Sequence, residues 1–165
     1  MCAKHFRHKP PTQLDQQQEM LLVVPALKSQ VNLARLVRLA GCAGIGKIIT
    51  TGSDKVDPKI ARDGADHVLI EKRRSLIPVL KKLRESDYHI VALEQTDSSH
   101  VLYDYAFQKK TALLIGHEGR GIPNDQLQVV DACIEIPVYG MPHSYNVVTA
   151  TTMAVYEYCR QFYHL

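Results

Sequence analysis

The chain has 165 residues, of which 45% are hydrophobic and 22% charged, and its net charge is +3. That length fits one domain with a buried core, and the composition is that of an ordinary globular chain rather than a disordered one. No apolar run approaches the roughly 18 residues that cross a bilayer, which excludes a membrane-spanning helix.

The opening stretch, residues 1–18, holds Lys4, His5, Arg7, His8, Lys9 and the pair Pro10-Pro11 without hydrophobic periodicity. It is expected to be a flexible basic arm ahead of one domain over 19–165. It lacks the apolar centre of a secretory signal, so the expected setting is cytoplasmic. Gln16 to Met20 is expected as a short helix or the approach to one. "LLVVPAL", Leu21 to Leu27, is a continuous apolar run of strand length. Ser29 can cap a helix over "SQVNLARLVRLAGCAG", with Val31, Leu36 and Leu39 on its apolar side and Asn32, Arg35 and Arg38 on other faces. Gly41 and Gly44 are expected to end that helix.

A second strand is expected at Lys47 to Thr51, and Asp57-Pro58 opens a short helix in "DPKIARDGAD". "HVLIE" predicts a third strand. "SLIPVLKKLRES" predicts an amphipathic helix begun by Ser75, with Leu76, Val79, Leu80 and Leu83 inward. "YHIVALEQT" is a fourth strand, "DYAF" a short helix, "TALLIG" a fifth strand and "ACIEIP" a sixth. The final "NVVTATTMAVYEYCRQFYHL" predicts a closing helix. Alternating strands and helices imply an α/β domain with a mostly parallel six-stranded sheet flanked by helices. Ligands of such sheets sit beyond the carboxyl ends of the strands. There the chain carries "EQTDSS", "GHEGRGIP" and "PVYGMPHSYN".

"TALLIGHEGRGIP" invites a phosphate-loop reading and fails it. A phosphate loop needs lysine and a hydroxyl after its last glycine, whereas Ile122 follows Gly121. The dinucleotide pattern belongs at the first strand, and this loop follows the fifth. Eight histidines form no HxH or HxxxH pair, and the four cysteines form no CxxC, so no metal site is expected. Ser144 next to His143 does not sit in a GxSxG elbow. Asn32, Arg38, Glu118, Ser144 and Asn146 remain as polar residues near strand ends. Each of the first four also has a plain structural reading: helix start for Asn32, surface charge for Arg38, turn acid for Glu118, helix cap for Ser144.

In order, three segments resemble the TrmH-like branch of the SPOUT RNA methyltransferases, from about Leu21 to the carboxyl terminus. "NLARLVR" is similar to the first motif, with Asn32 and Arg38. "LLIGHEGRGIP" is similar to the second, matched at Gly116, Glu118 and Gly121. "IEIPVYGMPHSYNVVTA" is similar to the third, matched at Ile136, Pro137, Gly140, Ser144, Asn146, Val147 and Ala150. Within that branch the chain resembles the carboxyl-terminal catalytic domain of eukaryotic-type tRNA guanosine-18 2′-O-methyltransferases. It departs from the branch's usual residues at Ala34, Leu39, His117, Val138 and Tyr145.

The resemblance implies a deep trefoil knot near the carboxyl terminus, which connection rules disfavour and the residue pattern does not reveal. It also implies a homodimer and S-adenosyl-L-methionine as cofactor. The cofactor would lie against Leu93, Glu94, Thr96, Ile115, Gly116, Gly121, Ile136, Met141, Ser144, Tyr145 and Asn146. Arg38 would stand nearest the chemistry, with Asn32 and Glu118 fixing it and the second-motif loop. Ser144 and Asn146 would shape the cofactor and ribose side. RNA, tRNA first, would be the partner. A ribose methyltransferase acting on rRNA, a non-catalytic knotted RNA-binding or assembly protein, and methyl transfer to a base are the other readings.

Overall fold

The computed structural model describes residues 5, 18–53, 55–141 and 143–162. The expected basic arm therefore falls almost wholly outside the described residues. Seven parallel strands form one sheet: β1 Leu21–Val24, β2 Lys47–Thr50, β3 Leu69–Lys72, β4 His89–Leu93, β5 His100–Val101, β6 Thr111–Ile115 and β7 Ala132–Glu135. Their order across the sheet is β3-β2-β1-β6-β4-β7-β5. Six helices accompany them among the described residues: α1 Gln30–Ala43, α2 Pro58–Ala61, α3 Gly64–His67, α4 Leu76–Glu85, α5 Asn124–Leu127 and α6 Val147–Phe162.

The continuous apolar strands follow from burial on both faces. Leu22 and Val24 of β1, Val91 of β4, and Leu113 and Ile115 of β6 belong to a core that includes α1 and α6 residues such as Leu36, Val37 and Tyr158. Their neighbours Leu21, Val23, Ile90, Ala92, Ala112 and Leu114 turn the other way, toward Leu76, Leu80 and Leu83 of α4. Period-two alternation thus feeds two helical layers from the same strands. The chain builds outward from β1 to β3, then crosses β1 to begin β4 on the far side. This reversal of direction creates the crevice at which ligands of open parallel sheets bind.

Several expectations need correction. The sheet has seven strands, because the two-residue β5 pairs with β7. Gln18 makes an isolated bridge with Ile45, and no helix covers residues 18–20. "DPKIARDGAD" forms two four-residue helices, broken where Arg62 takes a positive φ of 55°. The turn near "DYAF" is a 3-10 turn over Leu102–Asp104. Asn32 lies on the buried side of α1 while Val31 is exposed.

Gly44 does end α1, in the left-handed conformation, but Gly41 is inside the helix. A Cβ on Gly41 would stand 2.9 Å from the Gly64 Cα. The pair lets α3 pack close against α1.

Candidate functional site

Glu118 is the centre of a polar cluster that joins the loop after β6 to the start of α1. It accepts hydrogen bonds from the Lys28 amide at 2.9 Å, the Ser29 amide at 3.1 Å and Asn32 Nδ2 at 3.1 Å. Two of these donors are backbone amides just before α1, and the third is a side chain in its first turn. The sequence sets this up locally, since Ser29 caps the helix by accepting from the Asn32 amide. Burial would raise the Glu118 pKa, but the bonds from Lys28, Asn32 and Ser29 outweigh it and hold it down to about 2. The carboxylate is ionised and serves as a clasp between the loop after β6 and the start of α1.

The loop containing Glu118 is itself closed tightly. The His117 amide donates to the Gly121 carbonyl at 3.1 Å, and the Gly121 amide returns to the His117 carbonyl at 3.0 Å. His117 Nδ1 accepts from the Gly119 amide at 3.0 Å. Gly121 has φ of 64°, and a Cβ there would come within 2.5 Å of Glu94 Oε2. That oxygen accepts the Ile122 amide at 2.9 Å, so Glu94 pins the far side of the loop. Glycine at 121 is thus required by conformation and by contact.

Between these loops lies a cavity of about 480 Å³, within the range of small-molecule and cofactor sites. Its walls come from the ends of β4, β6 and β7 and the approach to α6. Leu93, Ile115, Ile134 and Ile136 supply apolar surface, and Glu94, Glu118 and Glu135 supply carboxylates. Glu135 accepts the Ser99 hydroxyl at 2.5 Å. Asn146 caps α6, its Oδ1 accepting the Val148 amide at 2.9 Å, so the cap expected at Ser144 sits two residues further on.

The cavity brings together Leu93, Glu94, Ile115, Gly116, Glu118, Gly121, Ile136, Ser144, Tyr145 and Asn146. Thr96 and Met141 lie outside its lining. Thr96 instead closes a turn with Ser99, and Met141 is exposed. Asn32 reaches the site only through Glu118. Arg38 is exposed on α1, does not line the cavity and makes no hydrogen bond or ion pair to Asn32 or Glu118, so the expected brace between them is absent within one chain. Gln95, Glu135 and Val138 also line the cavity; none was expected as a cofactor contact, and Val138 was noted only as a departure from the branch's usual residue. Each lies within a strand-end or motif segment quoted above, so taking those segments whole rather than residue by residue finds them.

The fold and this cavity define an α/β domain whose candidate ligand site lies at the carboxyl ends of its parallel strands. Residues 19–156 match the model of the SpoU rRNA Methylase family, and the chain belongs to that family. It is 38% identical over 94 residues to the tRNA (guanosine(18)-2′-O)-methyltransferase TARBP1 of Mus musculus, covering 56% of this chain and 6% of that protein. It is 31% identical over 151 residues to the tRNA (guanosine(18)-2′-O)-methyltransferase of Saccharomyces cerevisiae, covering 87% of this chain and 10% of the relative. The chain therefore spans a tenth or less of these two relatives. The crystal structure of the Aquifex aeolicus TrmH/SpoU tRNA modifying enzyme superimposes with a TM-score of 0.82 at 26% identity, covering 88% of this chain and 76% of that one.

Proposed function

We propose that the chain is an S-adenosylmethionine-dependent RNA methyltransferase that modifies a ribose 2′-hydroxyl, with guanosine 18 of tRNA as the favoured target. The observation that carries this reading is the strand-end cavity, whose walls are the second and third motifs clasped to the first through Glu118 and Asn32. Family membership and the names of the relatives support the RNA substrate. The residues fit the cofactor. Leu93, Ile115 and Ile136 offer apolar surface for adenine, and the carboxylates of Glu94, Glu118 and Glu135 suit a cationic ligand rich in hydroxyl and ammonium donors.

S-adenosylmethionine, when bound, supplies a methyl group on a sulfonium cation. The chain's contribution is to hold the acceptor oxygen in line with it and exclude competing water. Glu118 keeps the second-motif loop on α1, and Ser144 and Asn146 bound the ribose side. Arg38 carries a guanidinium, a side chain unsuited to act as a free base. Its role in this reading is to hold the phosphate beside the target ribose and orient the hydroxyl, whose proton passes to that phosphate or to water.

Because Arg38 stands off the cavity of its own chain, the reading includes a homodimer. The exposed stripe of α1, which includes Val31, Arg35 and Arg38, then faces the site of a second copy. It further includes a deep trefoil knot formed by the loops of the second and third motifs, a basic arm over 1–18 ahead of a domain over 19–165, and work in the cytoplasm. Calorimetric titration with S-adenosylmethionine and S-adenosylhomocysteine tests the core of it. Saturable binding of both is expected, and heat from neither ligand would refute the cofactor assignment.

A further inference from the structure

The parallel sheet divides its carboxyl edge into two chemically different halves. The β6, β4 and β7 ends carry the cavity with Glu94, Glu118 and Glu135. The β1, β2 and β3 ends carry Lys28, Lys55, Lys72 and Arg74, all exposed and all without a side-chain hydrogen bond or ion pair among the described residues. Two acids nearby among the described residues have partners of their own. Glu71 is taken by Lys47 and Arg73, and Asp57 accepts the Lys59 amide at the start of α2. The four cations thus have no described carboxylate set against them.

These loops are joined to one another and to the cavity. The Lys28 amide donates to Glu118, a wall of the cavity. Gly52, after β2, packs on Ala26, after β1, where a Cβ would lie 3.0 Å from the Ala26 Cα. The Arg73 amide donates to the Thr50 carbonyl at 2.8 Å, tying the β3 end to β2. From β6 to β3 is three strand steps, about 14 Å at the usual strand spacing. A row of loops, tied to its neighbours at Lys28, Gly52 and Arg73, therefore leads from the cavity to Arg74, with cations spaced along it.

We infer that this row is the track for the RNA sugar–phosphate backbone on one side of the target nucleotide, with Lys28, Lys55, Lys72 and Arg74 as the cations that meet its phosphates. The inference rests on the methyltransferase reading for the position of the target, and it specifies the side from which the polyanion approaches. A second exposed basic cluster, Lys81 and Lys82 on α4, lies on a helix that covers the opposite face of the sheet from α1 and carries no such connection to the cavity.

The test uses the whole chain and a transcribed tRNA, with affinity measured across a salt series. Removing one cation that neutralises a phosphate makes the dependence of log K on log salt shallower by about 0.7 to 0.9. The double variant Lys55→Ser/Arg74→Ser is expected to reduce that slope by about 1.4 to 1.8. The double variant Lys81→Ser/Lys82→Ser removes the same charge and is expected to leave the slope within error. Equal reductions in the two doubles, or no reduction in the first, would overturn the track. Calorimetry with S-adenosylmethionine is run on the same samples. Failure of the wild-type chain to bind it would count against the methyltransferase reading, whatever the salt slopes show.

Discussion

The side-chain amide of Asn32 donates to Glu118 Oε1 at 3.1 Å, joining the first turn of α1 to a loop 86 residues later in the chain. Because two backbone amides converge on the same carboxylate, its charge is what holds the first two motifs together. The Glu118→Gln variant keeps the shape but leaves a neutral acceptor and a new donor facing donors. It is expected to lower unfolding free energy at neutral pH by about 1–3 kcal/mol in a denaturant titration.

The same clasp has a pH signature. Glu118 has its pKa lowered from 4.5 to about 2 in the folded chain. A depressed carboxylate contributes stability that is present above the unfolded value and lost as pH falls through the folded one. The wild type is therefore expected to lose stability relative to Glu118→Gln as pH falls from about 4.5 to about 2. Parallel stability curves for the two proteins across that window would contradict the clasp.

Gly121 separates conformational need from open space. Its positive φ and the 2.5 Å approach of a would-be Cβ to Glu94 Oε2 make Gly121→Ala doubly unfavourable. The backbone conformation alone costs about 1–2 kcal/mol. A Cβ on Gly119 meets nothing within 4 Å. Thermal melts of the two variants are expected to show a clear loss for Gly121→Ala and little change for Gly119→Ala.

The sequence made the strands legible where burial on both faces forces unbroken apolar runs, as at "LLVV" and "TALLI". β5 escaped because it is only His100 and Val101, and its pairing with β7 leaves no periodicity to detect. The short α5 escaped for the same reason of length. Asn32 and Glu118 stand out as motif residues, but their mutual bond is invisible in sequence, since a hydrogen bond across 86 residues leaves no local trace. Arg38 shows the converse: its place in a motif suggests proximity to Glu118, and the helix carries it to an exposed face.

The close passage of α3 over α1 gives another prediction. A Cβ on Gly64 would stand 2.8 Å from the Val37 carbonyl oxygen and 3.1 Å from the Arg38 Cα, both backbone atoms with little room to yield. Gly64→Ala is expected to destabilise the chain by about 1–3 kcal/mol, the usual cost of overpacking. An unchanged denaturation midpoint would show that the two helices can separate freely.

Arg38 distinguishes binding from turnover. Being outside the cavity, it is not needed to hold S-adenosylmethionine, so Arg38→Ala is expected to bind the cofactor within about twofold of wild type. In the proposed reaction its removal takes a cation from the phosphate beside the target ribose, with an expected loss of about 10²- to 10³-fold in methyl transfer. Wild-type transfer by this variant would remove Arg38 from the chemistry.

The most direct measurement is ribose-methylation mapping of an unmodified tRNA transcript incubated with the chain and S-adenosylmethionine. A 2′-O-methyl group at guanosine 18, absent when the cofactor is omitted, is the predicted result. A methyl group found on a base, or a transcript left unmodified by a chain that binds both cofactor and tRNA, would contradict the account.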